Sequence, residues 1–547
     1  MTLTKWFGAV VALALLAPAA AAAQVTTPAS GSETLQLTLD EAVRRAVENN
    51  PELAVVKLGI EVDTARVGES RTAFTPLFST TVGRSSVSTP PSTLLVGSRG
   101  VDTADLFTST GVAQRLPWGS GTWGVSWDSA RTTSNSLFSS FDPSLQSGFQ
   151  IAFSQPLLKD RSIDAAREQY IIAKRNQDSS DLRFREAVVQ TVAAVKQAYW
   201  TLKASIANVS VQQRSLELAQ ELARENKARV DAGQSPPLDL VQAEAEVSQR
   251  RENLIRARTT AEDAEDALRR LIADPADASF WRVRLDPVEE PSTVGPQPDL
   301  DAAVAKALGE RYDLARAGHD LENAKTTVKF LDNQKLPDVR LETSYRGNGL
   351  SGTQFLRDGG FPGLVTGTLN RGFGTALGQV FSNDYPAWSV GVTVSYPLGR
   401  SYEAASHARA QIEQRQAEQR IAGLRLQAVE TVRKAGRQIR STAERVEAAR
   451  ASATLAQQRL ESEQRRFEVG LSTTFLVTQA QRDLLEAQVN LLQTMLDYES
   501  SLVNFEAVQL APPLTEGDRV TVSGADVVAI PLSTPRGLFR AGSGGGF

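Results

Sequence analysis

Side chains able to do chemistry are scarce in kind along this 547-residue sequence. Histidine occurs only at His319 and His407, and cysteine is absent. That excludes disulfides, thiolate metal sites, a Cys nucleophile and a lipidated N-terminal Cys. The 63 acidic residues could serve acid–base catalysis, but most lie among the 59 Lys and Arg of helical stretches, where solvated or paired surface charge is the ordinary outcome. There is no G-x-S-x-G elbow, no H-E-x-x-H pair and no phosphate loop; the G-S-G-G-G near the C-terminus lacks the Lys, strand and helix of one. No catalytic residue, metal or cofactor is expected. A net charge of −4 leaves no nucleic-acid footprint.

The residues with the most positional meaning sit in two turns, Gly233-Gln234-Ser235-Pro236-Pro237 and Gly470-Leu471-Ser472. Each turn ends a long stretch without proline, roughly 163–233 and 403–470. As helices these would reach ~100 Å at 1.5 Å per residue. Val188, Val192, Val195, Tyr199, Leu202, Ile206 and Val209 recur at heptad spacing beside a stripe of small residues, as expected of a helix packed on several sides. Gly233 and Gly470 read as left-handed caps, and Ser235 and Ser472 as caps of the helices that follow. Val469, Leu471 and Phe475 are apolar at a turn that should face water, which fits a docking surface.

The chain carries one plan twice. LDEAV (residues 39–43) returns as LDAAV (300–304), FQIAFSQPL (149–157) as GVTVSYPL (391–398), and RVDAGQS (229–235) as RFEVGLS (466–472), in the same order. Between helices, Trp388, Val390, Val392, Val394 and Tyr396 alternate with Ser389, Gly391, Thr393 and Ser395, placing interface aromatics at both ends of an apolar face, as in a transmembrane β-barrel strand. Lys5, the apolar run Phe7–Leu16 and Ala21-Ala22-Ala23 before Gln24 form a signal peptide over 1–23. No later run is apolar enough for a spanning helix, which leaves a closed barrel as the way into a membrane.

These features resemble the outer-membrane efflux protein (TolC) family, most specifically in LTLDEAVRRAVENNPEL (37–53), LDAAVAKALGERYDL (300–314), SQPLL, SYPLG and the turns AGQSPPLDLVQAEAEV (232–247) and VGLSTTFLVTQAQRDL (469–484). The resemblance implies an α+β membrane protein: a homotrimer in outer-membrane lipid whose transmembrane β-barrel of twelve strands, four per chain, joins a long coiled-coil α-barrel. It implies a passive duct of an efflux or type I secretion system that meets a periplasmic adaptor and an inner-membrane pump. Gly233, Gln234, Ser235, Gly470, Leu471, Ser472 and Phe475 would be the adaptor-contact and gate tips. Family members narrow the closed end with acidic side chains; here Asp239 matches in the first copy, but Leu476 and Gln479 stand in the second, so the candidate constriction is partly apolar or amide. A structural or adhesive coiled-coil protein of the cell surface is the alternative, but it would not need strands in both halves. The halves run 24–273 and 299–510, with a connector at 274–298 and a periplasmic tail at 511–547. One departure concerns the wall: Pro76–Pro156 is longer than Pro337–Pro397 and includes LPWGSGTWGVSW (116–127). This piece is either an extracellular elaboration or extra strands, and symmetry with the second copy places it outside the wall. The exported protein is expected to begin at Gln24, which intact-mass measurement checks; a mass retaining residues 1–23 contradicts the signal peptide.

Overall fold

The computed structural model describes residues 34–513 except 92–99, 292–294, 296, 360–362 and 400. The expected signal peptide and nearly all of the expected tail lie outside the described residues. The first half runs β1 (Thr34–Leu37), α1 (Leu39–Asn49), α2 (Pro51–Thr72), β2 (Leu77–Thr89), β3 (Val101–Arg115), β4 (Thr122–Ser134), β5 (Phe141–Pro156), α3 (Ala165–Asp231) and α4 (Pro237–Ile272). After a 3-10 turn at 278–282, β6 (Arg284–Pro287) leads into the second half. That half runs α5 (Leu300–Glu310), α6 (Tyr312–Gln334), β7 (Asp338–Asp358), β8 (Leu364–Arg371), α7 (Phe373–Ser382), β9 (Tyr385–Ser395), α8 (Tyr402–Glu468) and α9 (Thr474–Val508). The expected repeat is thus visible in the helix order, α1, α2, α3 and α4 answering to α5, α6, α8 and α9, and α3 and α8 have the same length, 67 residues.

Local chemistry sets the boundaries. Thr38, Asn50, Asp164 and Asp299 accept backbone N–H groups at the starts of α1, α2, α3 and α5, with Pro51 at the first helical position of α2. Near their mid-length the long helices gather the short elements into apolar clusters. Around α3, Leu37, Val195, Tyr199, Leu202, Leu268, Ile272 and Leu285 are buried together, so part of the heptad stripe is core. The Tyr199 hydroxyl donates to the Leu37 carbonyl at 3.0 Å and accepts from the Glu289 N–H at 3.2 Å, pinning the parallel pair β1–β6. Strand β6 therefore gives the connector a structural role.

Among the described residues, all other strands form one antiparallel sheet of seven, in the order β2-β3-β4-β5-β7-β8, with β9 also on β7. This corrects the expectation of four strands. LPWGSGTWGVSW is the turn that follows β3 and the start of β4, which pairs back onto β3 through Trp127 with Thr110 and Trp123 with Gln114. The physical reason is that its strands alternate like their neighbours and its turn is anchored: the Gln155 amide donates to the Gly119 carbonyl at 2.7 Å, the Ser120 hydroxyl to the Asp160 carbonyl at 2.6 Å, and Arg167 to Ser120. Symmetry between the halves misled because the first half holds one hairpin more. β8 pairs with β7 at Gly352–Asp358 and β9 pairs with β7 at Asp338–Asn348, so the two share one strand position, divided by α7.

Helix α7, unforeseen in the sequence, lies against β7 where that strand has no side chains. A Cβ at Gly349 would come within 2.0 Å of the Ala376 carbonyl oxygen, and one at Gly347 within 3.2 Å of the Val380 oxygen. Gly349→Val is expected to displace α7 and to cost ~1–3 kcal/mol as overpacking, read as a lower urea midpoint for the folded state.

Candidate functional site: the paired hairpin tips

Helices α3–α4 and α8–α9 form two long hairpins, each turning at the end farthest from the sheet. At the first tip Gly233 has φ +73°; its N–H donates to the Val230 carbonyl at 2.9 Å and that of Gln234 to the Arg229 carbonyl at 2.8 Å. At the second, Gly470 has φ +75°, its N–H donates to the Phe467 carbonyl at 3.1 Å, and that of Leu471 to the Arg466 carbonyl at 2.8 Å. Both are left-handed C-caps, a conformation that glycine adopts without a Cβ penalty. The serines behave differently from expectation. The cap positions of α4 and α9 are Pro236 and Thr473, neither with a side-chain cap bond. Ser472 donates instead to the Glu463 carboxylate at 2.8 Å, because the turn carries its hydroxyl back over α8. Ser235 is half-buried and Gln234 exposed.

The two tips are brought side by side. The Arg229 guanidinium lies 4.0 Å from the centre of the Phe467 ring and donates to the Phe467 carbonyl at 3.0 Å. The Thr474 hydroxyl donates to the buried Asn226 side-chain oxygen at 2.9 Å. Leu222, Leu460, Phe467, Val477, Ala480 and Leu484 close an apolar core between α3, α8 and α9. Outside that core, Leu471 is 79% and Phe475 66% exposed, and Leu238, Val241, Val469 and Leu476 are exposed as well. These side chains lie outside the packed apolar core of the tip, which marks the tip as a surface that burial would stabilise. Asp239 is half-buried in the first turn of α4, and Gln479 donates along its own helix to Asp483 at 2.7 Å.

A link above the tips was not read from the sequence. The buried Glu246 of α4 meets Arg250 at 2.5 Å on its own helix and Arg482 of α9 at 2.5 Å, tying the second helix of one hairpin to that of the other. The Glu246–Arg250 half has i,i+4 spacing and was legible; the long-range half was not. Burial pulls the Glu246 proton affinity up, but hydrogen bonds and charges from Arg482 and Arg250 outweigh it, and the carboxyl ionises below its ordinary range. A carboxylate with a depressed pKa stabilises the fold above its ordinary value and loses that contribution as pH falls through the depressed one. The link is thus expected to persist at about pH 5 and to fail only in stronger acid.

At the other end of the molecule, Trp388 and Tyr396 are exposed on the face that also carries Val390, Val392 and Val394. The opposite face contributes Ser79, Ser109, Ser126, Asp128, Gln150 and Arg346 to a cavity of about 1010 Å³.

The sequence profile of the family described as outer membrane efflux protein matches residues 42–274 and 303–508, which coincide with the two structural halves. No curated protein matches the sequence significantly. Among solved structures, the chain is similar to a membrane protein from Pseudomonas aeruginosa, at TM-score 0.62 and 18% identity over 88% of this chain and 92% of that one. It is similar to the Campylobacter jejuni CmeC outer membrane channel, at 0.59 and 16% over 86% and 85%. The Neisseria gonorrhoeae MtrE outer membrane channel in its open state gives 0.59 and 18% over 86% and 89%.

Replacing Glu246 by Ala leaves the buried Arg250 without its carboxylate, a change expected to cost ~3–5 kcal/mol. Hydrogen exchange should then quicken in α4 and α9 near the tips while the sheet is unchanged; unchanged exchange at the tips contradicts the link.

Proposed function

The chain belongs to the outer membrane efflux protein family, and on that premise we propose that it is a passive exit duct. Three copies close a β-barrel in the outer membrane and, beneath it, a helical tunnel that reaches through the periplasm toward an adaptor and an inner-membrane pump. The pump supplies the energy; the duct supplies a water-filled path for efflux or type I secretion. One observation carries this reading: in both halves a long hairpin leaves the same end of a two-faced sheet and ends in a tip whose apolar residues lack cover. At ~100 Å per hairpin, the tips around Gly233, Gln234, Ser235, Gly470, Leu471, Ser472 and Phe475 are the parts able to approach a partner based in the inner membrane. Solved relatives named as outer membrane channels support the same reading.

The tips also form the gate. Asp239, Leu476 and Gln479 narrow the closed end, and the Glu246–Arg482 link holds the hairpins together until a small rotation of the tip helices parts them. The aromatics Trp388 and Tyr396 sit at the two membrane interfaces.

Docking rests on a few residues, each worth ~1–3 kcal/mol on truncation. Leu471→Asp is expected to leave the oligomer intact while lowering adaptor crosslinking and export about ten-fold or more, whereas Ala448→Asp, exposed at mid-helix, leaves both unchanged. Normal crosslinking and export by Leu471→Asp reduce the tip to a turn.

A further inference from the structure

We infer that the β3–β4 hairpin belongs to the membrane wall and that three copies, joined edge to edge through β9 and β2, close a barrel of three times six strand positions, eighteen in all. The inference rests on the trimeric duct proposed above and concerns what the wall is made of.

Three observations support it. First, the ladder is continuous from β2 to β9, with β3 and β4 paired on both sides. A hairpin added outside the wall would leave β2 beside β5, and it is not there. Second, the two faces continue across the hairpin without a break. Val112, Val125 and Ile151 stand in one cross-strand row with Phe78, Tyr345 and Trp388. The neighbouring row on the opposite face runs Ser79, Gly111, Ser126, Gln150 and Arg346, with the Arg346–Asp128 ion pair at 3.6 Å beside it. An appendage in water has no reason to keep an apolar face in register with the membrane face. Third, among the described residues the sheet is left with two unpaired edges. β2 has a neighbour on one side only, as does β9, and every residue of β9 is exposed. Unpaired backbone is not tolerated in hydrocarbon. β2 rises from α2 and β9 descends into α8, so one copy's β9 meets the next copy's β2 antiparallel, as its neighbours in the sheet do. At the end of the sheet that faces the long hairpins, four strand ends per chain run into α2, α3, α6 and α8; the other two meet at the β3–β4 turn, which is fastened onto the start of α3 by Arg115–Asp164 at 3.8 Å and by Ser120.

Barrel diameter grows roughly linearly with strand number, so eighteen strands give a mouth about one and a half times as wide as twelve. The duct then flares outward: the wall gains strands while the helical tunnel keeps four long helices per chain.

The tryptophans test the wall directly. Trp127 lies on the apolar face of β4, Trp388 on that of β9, and Trp200 is buried among the helices. Single-Trp proteins keeping one of these, with Phe at the others, are reconstituted in vesicles of phosphatidylcholine with or without brominated acyl chains, and their mass is measured by light scattering in detergent. The expected result is a trimer in which bromine lowers Trp127 and Trp388 emission alike, by about half for side chains on the lipid face, and leaves Trp200 unchanged. Quenching of Trp388 without Trp127 puts the hairpin outside the wall and overturns the inference while sparing the duct. A dimeric mass closes the same sheet at twelve strands and also overturns it. Quenching of neither overturns the duct as well. Trp127→Phe in the otherwise unchanged chain provides the same reading without multiple substitutions, since it should remove part of the quenchable emission.

Discussion

A helix of 67 residues and a strand of 13 share one difficulty: neither can bury its groups by folding back on itself. Each must be covered from the side, and lateral cover is the constraint on which this chain is built. Its buried residues therefore form several small clusters strung along the hairpins in place of one central core. At the edges of β2 and β9 and at the tips, the chain leaves strand edges and apolar side chains that nothing within the described residues covers.

Sheet and helices meet this constraint differently. In the sheet, backbone pairing provides the cover, and alternation then separates an apolar from a polar face with no further design. In the hairpins, cover comes from side chains, so close approach depends on small residues and on a few specific ties. Arg229 against Phe467 and Glu246 between Arg250 and Arg482 are such ties. Both involve a charged side chain near a turn, and a contact that depends on charge can be released more readily than a packed core.

The extra hairpin and α7 show how one plan is modified without disturbing its frame. The β3–β4 hairpin enters the sheet by taking over pairing that β2 and β5 would otherwise share, and its turn is tied down where α3 begins. Helix α7 interrupts the last strand position and rests on Gly347 and Gly349, where the absence of side chains lets helix backbone approach strand backbone. Neither change reaches the hairpin tips, which lie at the far ends of α3 and α8.

The sequence by itself determined what depends on neighbours along the chain. The long helices came from heptads without proline, the tip turns from Gly233 and Gly470, the strand faces from alternation at Trp388–Tyr396, and the duplication from repeated words; in the structure each lies within a few residues of its expected place. Tertiary structure decided what depends on partners far apart. The roles of Ser235 and Ser472 turned on where each turn carries its side chain, not on the preference of serine for caps. Arg482 finds Glu246 across 236 residues, a distance at which no periodicity is informative. The strand count turned on pairing: alternation says that a segment has two faces, but only the ladder says which edge it joins, since backbone hydrogen bonds between strands are indifferent to side-chain identity.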